Sequence, residues 1–279
     1  MKNSTLLATA AIAVGFASPA AAQDADPDFF TGFYVGGSIS AETVDDSLAD
    51  SIVFDTDQDG NYDNRVRTIT GANAFSPGLC NGRPIGTPAS AACGDDDTGL
   101  GYQAKIGYDV RVDGPAVAGL VLEASKPNAV DYSTGFSTTP ASYSISREVD
   151  YSVALRGRLG VSPGSGRGLI YATGGATYGK MKHGFATTNT ANSFTPMNAD
   201  KWVFGTQLGA GGELYITDNL SFNVEYLVTR YEDDDYYVAV GQGTAPATNP
   251  FLLRSGGTNI KPADDLKVQS IRAGINFRF

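Results

Sequence analysis

Basic residues, histidine, tryptophan, cysteine and long apolar runs are all scarce in this chain, and each scarcity excludes something. Thirty acidic residues stand against 20 basic ones, a net charge of −10. Nucleic-acid binding needs basic patches to neutralise phosphates, so that class of function is set aside. After residue 22 no apolar run approaches the roughly 20 residues that a membrane-spanning helix requires. Any membrane span in this chain must therefore be built from strands, whose backbone groups are satisfied by their neighbours. One histidine, His183, leaves little material for acid–base catalysis. Only two cysteines are present, Cys80 and Cys93, and they sit close together.

What is abundant is glycine, 34 residues, with 14 tyrosines and 14 phenylalanines. The chain opens with Lys2, an apolar stretch from Leu6 to Ala17, and the small residues Ala20-Ala21-Ala22. A positive start, a short apolar core and an A-x-A site predict a secretory signal peptide over residues 1–22, cleaved after Ala22. An exported chain meets an oxidising compartment, so Cys80 and Cys93 are expected to form a local disulfide, a free reactive pair being the alternative.

Eight segments then alternate apolar and polar residues with the period of a β-strand. They begin at Gly32–Ser40, Leu100–Arg111, Ala116–Lys126 and Val149–Val161. Leu169–Lys180, Trp202–Ile216, Ser221–Tyr231 and the C-terminal segment complete the set. In the last of these, Ile271, Ala273, Ile275, Phe277 and Phe279 share one face, with Ser270, Arg272, Gly274, Asn276 and Arg278 on the other. Short turns at Asp113-Gly114-Pro115, 162–166 and 217–219 alternate with four long connections. Short turns on one side and long loops on the other are the asymmetry of transmembrane barrels. Alternation of lipid-facing and lumen-facing residues also accounts for a mean hydropathy of only −0.15.

Gly-Phe-Tyr-Val-Gly-Gly in the first strand and Ile-Asn-Phe-Arg-Phe in the last, set in this architecture, resemble the OmpA-like, opacity-protein-like family of outer-membrane β-barrels. The resemblance implies an all-β fold: an eight-stranded antiparallel up-and-down barrel over residues 23–279, in the outer membrane of a Gram-negative cell. It resembles the barrel-only members, without a peptidoglycan-binding domain. It further implies that Ile275, Phe277 and Phe279 act as the assembly signal read by the barrel-insertion machinery, and that outer-membrane lipid or lipopolysaccharide surrounds the barrel.

An eight-strand barrel leaves room inside only for its own side chains. The inward faces are expected to carry Lys105, Asp109, Glu123, Asp150, Arg156, Arg158, Glu213, Glu225 and Arg272. Charges in so narrow a space must pair. The first reading is an internal salt-bridge plug in a structural or surface-interaction protein. The alternative is a small diffusion channel of low conductance lined by the same residues.

The first long loop contains Asp55, Asp57, Asp59, Gly60 and Asp63. Oxygen ligands at alternate positions before a glycine resemble the start of a calcium loop, and Ca2+ is one expectation there. Val66 stands where an EF-hand has its final glutamate, which leaves a solvated acidic loop as the other. His183, among Lys180, Lys182 and Gly184, is expected to be a solvated loop residue. Asp233 or Asp235 can come near it, but no nucleophile–histidine spacing accompanies them, so no enzymatic activity is expected. Trp202 is placed in an aromatic belt at the outer interface.

Overall fold

The computed structural model describes residues 29–44, 51–87, 93–163 and 166–279. The expected signal segment, residues 1–22, lies outside them. In chain order the strands are β1 (Gly32–Val44), β2 (Ile52–Asp55), β3 (Gly78–Asn81), β4 (Gly99–Asp113), β5 (Ala116–Lys126), β6 (Val130–Ser137) and β7 (Ala141–Val161). They continue with β8 (Gly168–Thr187), β9 (Ser193–Met197), β10 (Asp200–Tyr215), β11 (Leu220–Tyr231), β12 (Tyr237–Gly241), β13 (Thr258–Pro262) and β14 (Leu266–Arg278).

Eight of these close a ring. Antiparallel pairing runs β1–β4–β5–β7–β8–β10–β11–β14 and returns from β14 to β1. Each predicted segment lies within one of these strands, apart from a residue or so at two of its ends. The outward face carries Phe33, Ile39, Leu120, Leu155, Leu208, Ile271 and Phe277, each between 40% and 70% exposed or slightly beyond. Water would not tolerate so continuous an apolar belt on a folded protein. It is the surface of a barrel in lipid. Tyr151, Tyr178 and Trp202 meet near the outer edge, with Tyr178 and Trp202 stacked at 5.2 Å, as an interfacial aromatic girdle does.

The strands overshoot the barrel on the long-loop side. β7 has 21 residues and β8 has 20, twice the roughly 9–11 needed to cross a membrane. Their upper halves pair with each other, and β7 also carries β6, which in turn carries β3. A second sheet, β2-β13-β12-β9, stands opposite. Between the two sheets lies a core including Ile52, Phe54, Phe75, Tyr143, Ile145, Val238, Phe251 and Ile260. The four long connections are thus a folded headpiece with an interior of its own. Within the fourth connection Val238, Ala239 and Val240 pair with Ile260, Asn259 and Thr258 as a hairpin.

Cys80 on β3 is bonded to Cys93, tying the end of the first connection back to its sheet. A ring of strands with no open edge resists detergent. The unboiled protein should run faster than the boiled protein on a detergent gel, and identical mobility would count against closure.

Candidate functional site

Two regions collect the polar chemistry: the inside of the barrel and the junction between barrel and headpiece.

Inside, inward positions of neighbouring strands stack charges in two rings. In the lower ring Asp109 accepts from Arg158 and from Arg278, and Arg158 also donates to Glu213 at 2.8 Å. Ser221 donates to the other oxygen of Glu213 at 2.7 Å. The Arg158 and Arg278 guanidinium groups both lie over the Tyr34 ring, at 5.0 and 4.9 Å. In the upper ring Arg156 bridges Glu123 and Glu225, both at 2.8 Å. Arg272 adds a 2.7 Å contact to Glu123, and the Tyr171 hydroxyl donates to Glu225 at 3.1 Å. Lys105 is buried in the same space, facing Glu225, Glu123 and Glu213.

Glycine makes room for these groups. A Cβ on Gly119 would stand 1.9 Å from the Asp109 carboxylate, and one on Gly107 would stand 2.3 Å from the Tyr34 ring. The small residues opposite large ones are the sequence's provision for filling a fixed cross-section.

Above the rings come Ser40, Glu42, Gln103, Ser125, Ser152 and Thr229, joined in part through Ser40–Glu42 at 2.7 Å and Ser125–Ser152 at 2.7 Å. The space left among Glu42, Gln207, Thr229 and Arg272 amounts to about 10 Å3, the scale of a single water. Apolar layers close both ends. Phe29, Phe30, Val117, Leu169, Tyr171 and Tyr215 pack at the short-turn end. Val44, Val149, Met181, Val203, Tyr231, Leu266 and Val268 form a collar at the outer mouth.

Eight of the nine charges expected inward stand in the lumen. Asp150 does not. A bulge between Val149 and Tyr151 takes it out of the inward register, and its carboxylate pairs at the rim with Lys126 at 3.2 Å and Lys182 at 2.8 Å. Two lumen members were missed. Arg278 lies on the face already assigned to Arg272, and only its position near the chain end hid its role. Glu42 lies beyond Ser40, where the first strand was taken to stop; β1 runs on to Val44.

Immediately above the collar, four charged or titratable side chains are buried together. Arg147 donates to Asp131 at 2.7 Å and to the carbonyl of Asp264 at 2.6 Å, and lies 3.7 Å from Asp233. His183 Nε2 lies 2.8 and 3.0 Å from the two Asp233 oxygens, Nδ1 lies 3.1 Å from the carbonyl of Ala199, and the ring stacks on Tyr236 at 4.0 Å. The side chain is 1% exposed, so the expectation of a solvated loop histidine is corrected. Lys180 and Lys182 face outward, but the alternation that sends them out sends Met181 into the collar, and β8 continues past His183 to Thr187.

In the first long connection, carboxylate oxygens of Asp55, Asp57 and Asp59 come within 4.8 Å of one another. Asp55 accepts from the backbone N–H groups of Gln58, Asp59 and Gly60. Asp57 pairs with Arg254 at 2.6 Å. Asp63 is not in this group; it accepts from Asn64. Ile275, Phe277 and Phe279 lie on the outward face of the last strand and beyond it, with the Phe277 and Phe279 rings 5.4 Å apart.

A family model described as "Outer membrane protein beta-barrel domain" matches residues 7–279. The 31 kDa outer-membrane immunogenic proteins of Brucella melitensis and Brucella suis are each 31% identical over 175 residues, 63% of this chain and 64% of theirs. The matched region thus spans a little under two thirds of those relatives. Among solved structures, OprG from Pseudomonas aeruginosa aligns over 90% of this chain and 98% of its own, at 15% identity and a TM-score of 0.48. Ail of Yersinia pestis aligns over 89% and 99%, at 11% identity and a TM-score of 0.35.

Breaking a buried pair strands its partner, at a cost of about 3–5 kcal/mol. Arg156→Met should lower the urea midpoint of the refolded barrel accordingly, and Arg156→Met with Glu225→Gln should cost less than the two single changes summed. Additive costs would mean the pair is not coupled. Gly119→Ala should destabilise as well, by displacing Asp109 from Arg158.

At the junction, burial pushes the Asp233 carboxyl up, but the His183 hydrogen bond and the nearby charges of His183 and Arg147 outweigh it and hold the group below the ordinary 3.8. A depressed carboxyl stabilises fully above the unfolded value and loses that stabilisation as pH falls through the folded one. Amide exchange in β12, corrected for its intrinsic rate, should be flat from neutral pH down to about 5 and accelerate in stronger acid. Asp233→Asn should abolish the acid-dependent step; its persistence would place the titrating group elsewhere.

Proposed function

Because the chain belongs to the outer membrane protein beta-barrel domain family, and is an outer-membrane β-barrel protein, we propose that it works from its outer surface, as a structural and surface-interaction barrel whose lumen is filled. The observation that carries this reading is the continuity of the filling. From Phe30 at one mouth to Val268 at the other, apolar layer, two ionic rings, polar layer and apolar collar follow one another. The pocket among Glu42, Gln207, Thr229 and Arg272 is of single-water size. An ion crossing this column would have to displace guanidinium–carboxylate pairs and then shed its hydration in two apolar layers, each step costly in a low-dielectric interior. The headpiece, with its own core, supplies the contact surface.

Its lipid partner follows from charge. Lys126, Lys180, Lys182, Arg230 and Lys267 stand at outward positions on the outer parts of β5, β8, β11 and β14, with Lys180 level with Tyr151 and Trp202 of the aromatic girdle. Asp150 and Asp265 offset part of this charge, and the basic excess that remains suits anionic head groups of the outer leaflet. The experiment is a planar-bilayer recording of refolded protein. The expected result is a flat current at moderate voltage. Steady, reproducible unitary openings in the wild type would favour the alternative, a small diffusion channel, and overturn the filled-barrel reading.

A further inference from the structure

We infer that the headpiece binds a small organic anion with an apolar body, an aromatic or branched-chain carboxylate, at the loop-lined edge of its core. The inference rests on the reading of the headpiece as the contact surface, and names the chemistry that surface takes.

The first observation is a cavity of about 270 Å3 over the edge of the headpiece core. Its floor is a triangle of rings: Phe75 lies 5.3 Å from Tyr143 and 5.8 Å from Phe251, and Tyr143 lies 5.6 Å from Phe251. Its rim is polar but uncharged, with Thr139, Asn189 and Thr190. Asn189 is fixed there by bonds to the Tyr143 hydroxyl at 3.0 Å and to Asn192 at 3.0 Å. In a chain of net charge −10, a cavity lined without a single charged residue is a place for an apolar group, and its ring floor favours a flat one.

The second observation is what adjoins it. A wider cavity of about 630 Å3 shares Pro250 with the first and is lined by Arg65, Arg67 and Arg254, against a single acid, Asp63. Val66, in the first cavity's wall, separates the two arginines of the same segment that line the second. Arg67 is braced by a 2.9 Å bond to the carbonyl of Gly71, and Arg254 by its pair with Asp57. Thr56 and Asn64 complete the polar wall. Arginine forks recognise carboxylates in two-point fashion. An apolar cavity and a cationic one with a common wall describe one ligand with two ends.

The test uses the full barrel with its headpiece, refolded into nanodiscs of zwitterionic lipid, with empty nanodiscs subtracted. The probe is 3-(4-fluorophenyl)propionate, followed by fluorine NMR. Saturable binding is expected. Thr190→Trp, at an exposed rim position, should fill the apolar cavity and weaken binding at least tenfold. The combined Arg67→Gln and Arg254→Gln variant should do the same, and the neutral probe 3-(4-fluorophenyl)propanol should bind at least tenfold more weakly. Folding of each variant is checked by heat-dependent gel mobility and by amide exchange in β12. No saturable binding, equal affinity for acid and alcohol, or indifference to Thr190→Trp in folded protein would overturn the inference. Any of these would leave the filled lumen, which bilayer recording tests separately, untouched.

Discussion

Eight strands closed on themselves enclose a cross-section that side chains fill, and the consequences of that narrowness organise the molecule. Closure satisfies every barrel backbone group without water, which lets the outward face be almost wholly apolar. It also forces the inward face to balance its own charge. Glu123 and Asp109 each contact two guanidinium groups, and Arg156 and Arg158 each contact two carboxylates. In such a lattice the removal of one member is shared among several. Inward glycines set the spacing: Gly119 yields its volume to Asp109, and Gly107 yields its own to Tyr34.

The barrel was legible in the sequence because the strand period is short and the faces differ in chemistry. A period of two needs only a few residues to declare itself, and eight of nine inward charges follow from parity alone. Asp150 failed because parity holds only while the register is unbroken, and a bulge at Val149/Tyr151 leaves no mark in composition. Glu42 and the upper halves of β7 and β8 were lost for a different reason. The sequence shows where alternation weakens, yet strands that rise above the membrane no longer need an apolar outward face. Tyr143 and Ile145 carry the same period as the barrel but pack into the headpiece, where the solvent boundary is a second sheet.

The headpiece was the least legible part because its core is assembled from all four connections. Ile52 and Phe54 come from the first, Ala141 and Tyr143 from the rise of β7, Phe194 packs from the third, and Val238, Phe251 and Ile260 come from the fourth. No local window contains that cluster. The D-x-D-x-D-G spacing brings Asp55, Asp57 and Asp59 together, and Asp55 also accepts from the backbone of the turn at Gln58–Gly60. Asp57 of the same turn pairs with Arg254, one of three arginines that line the adjoining cavity.

The junction explains why barrel and headpiece should be treated as one mechanical body. Arg147, Asp131, Asp233 and His183 are buried between two apolar clusters, the collar below and the headpiece core above. A charged cluster so enclosed has no water to retreat to, so separating headpiece from barrel means exposing both clusters or orphaning these charges. Asp131 and Arg147 come from β6 and β7, His183 from β8, Asp233 from the segment after β11. The cluster therefore ties the second, third and fourth connections to the barrel wall at one height. A surface held this firmly is pre-organised. The entropy of ordering loops is spent on folding, so the cavities at the edge of the headpiece core stand formed in advance.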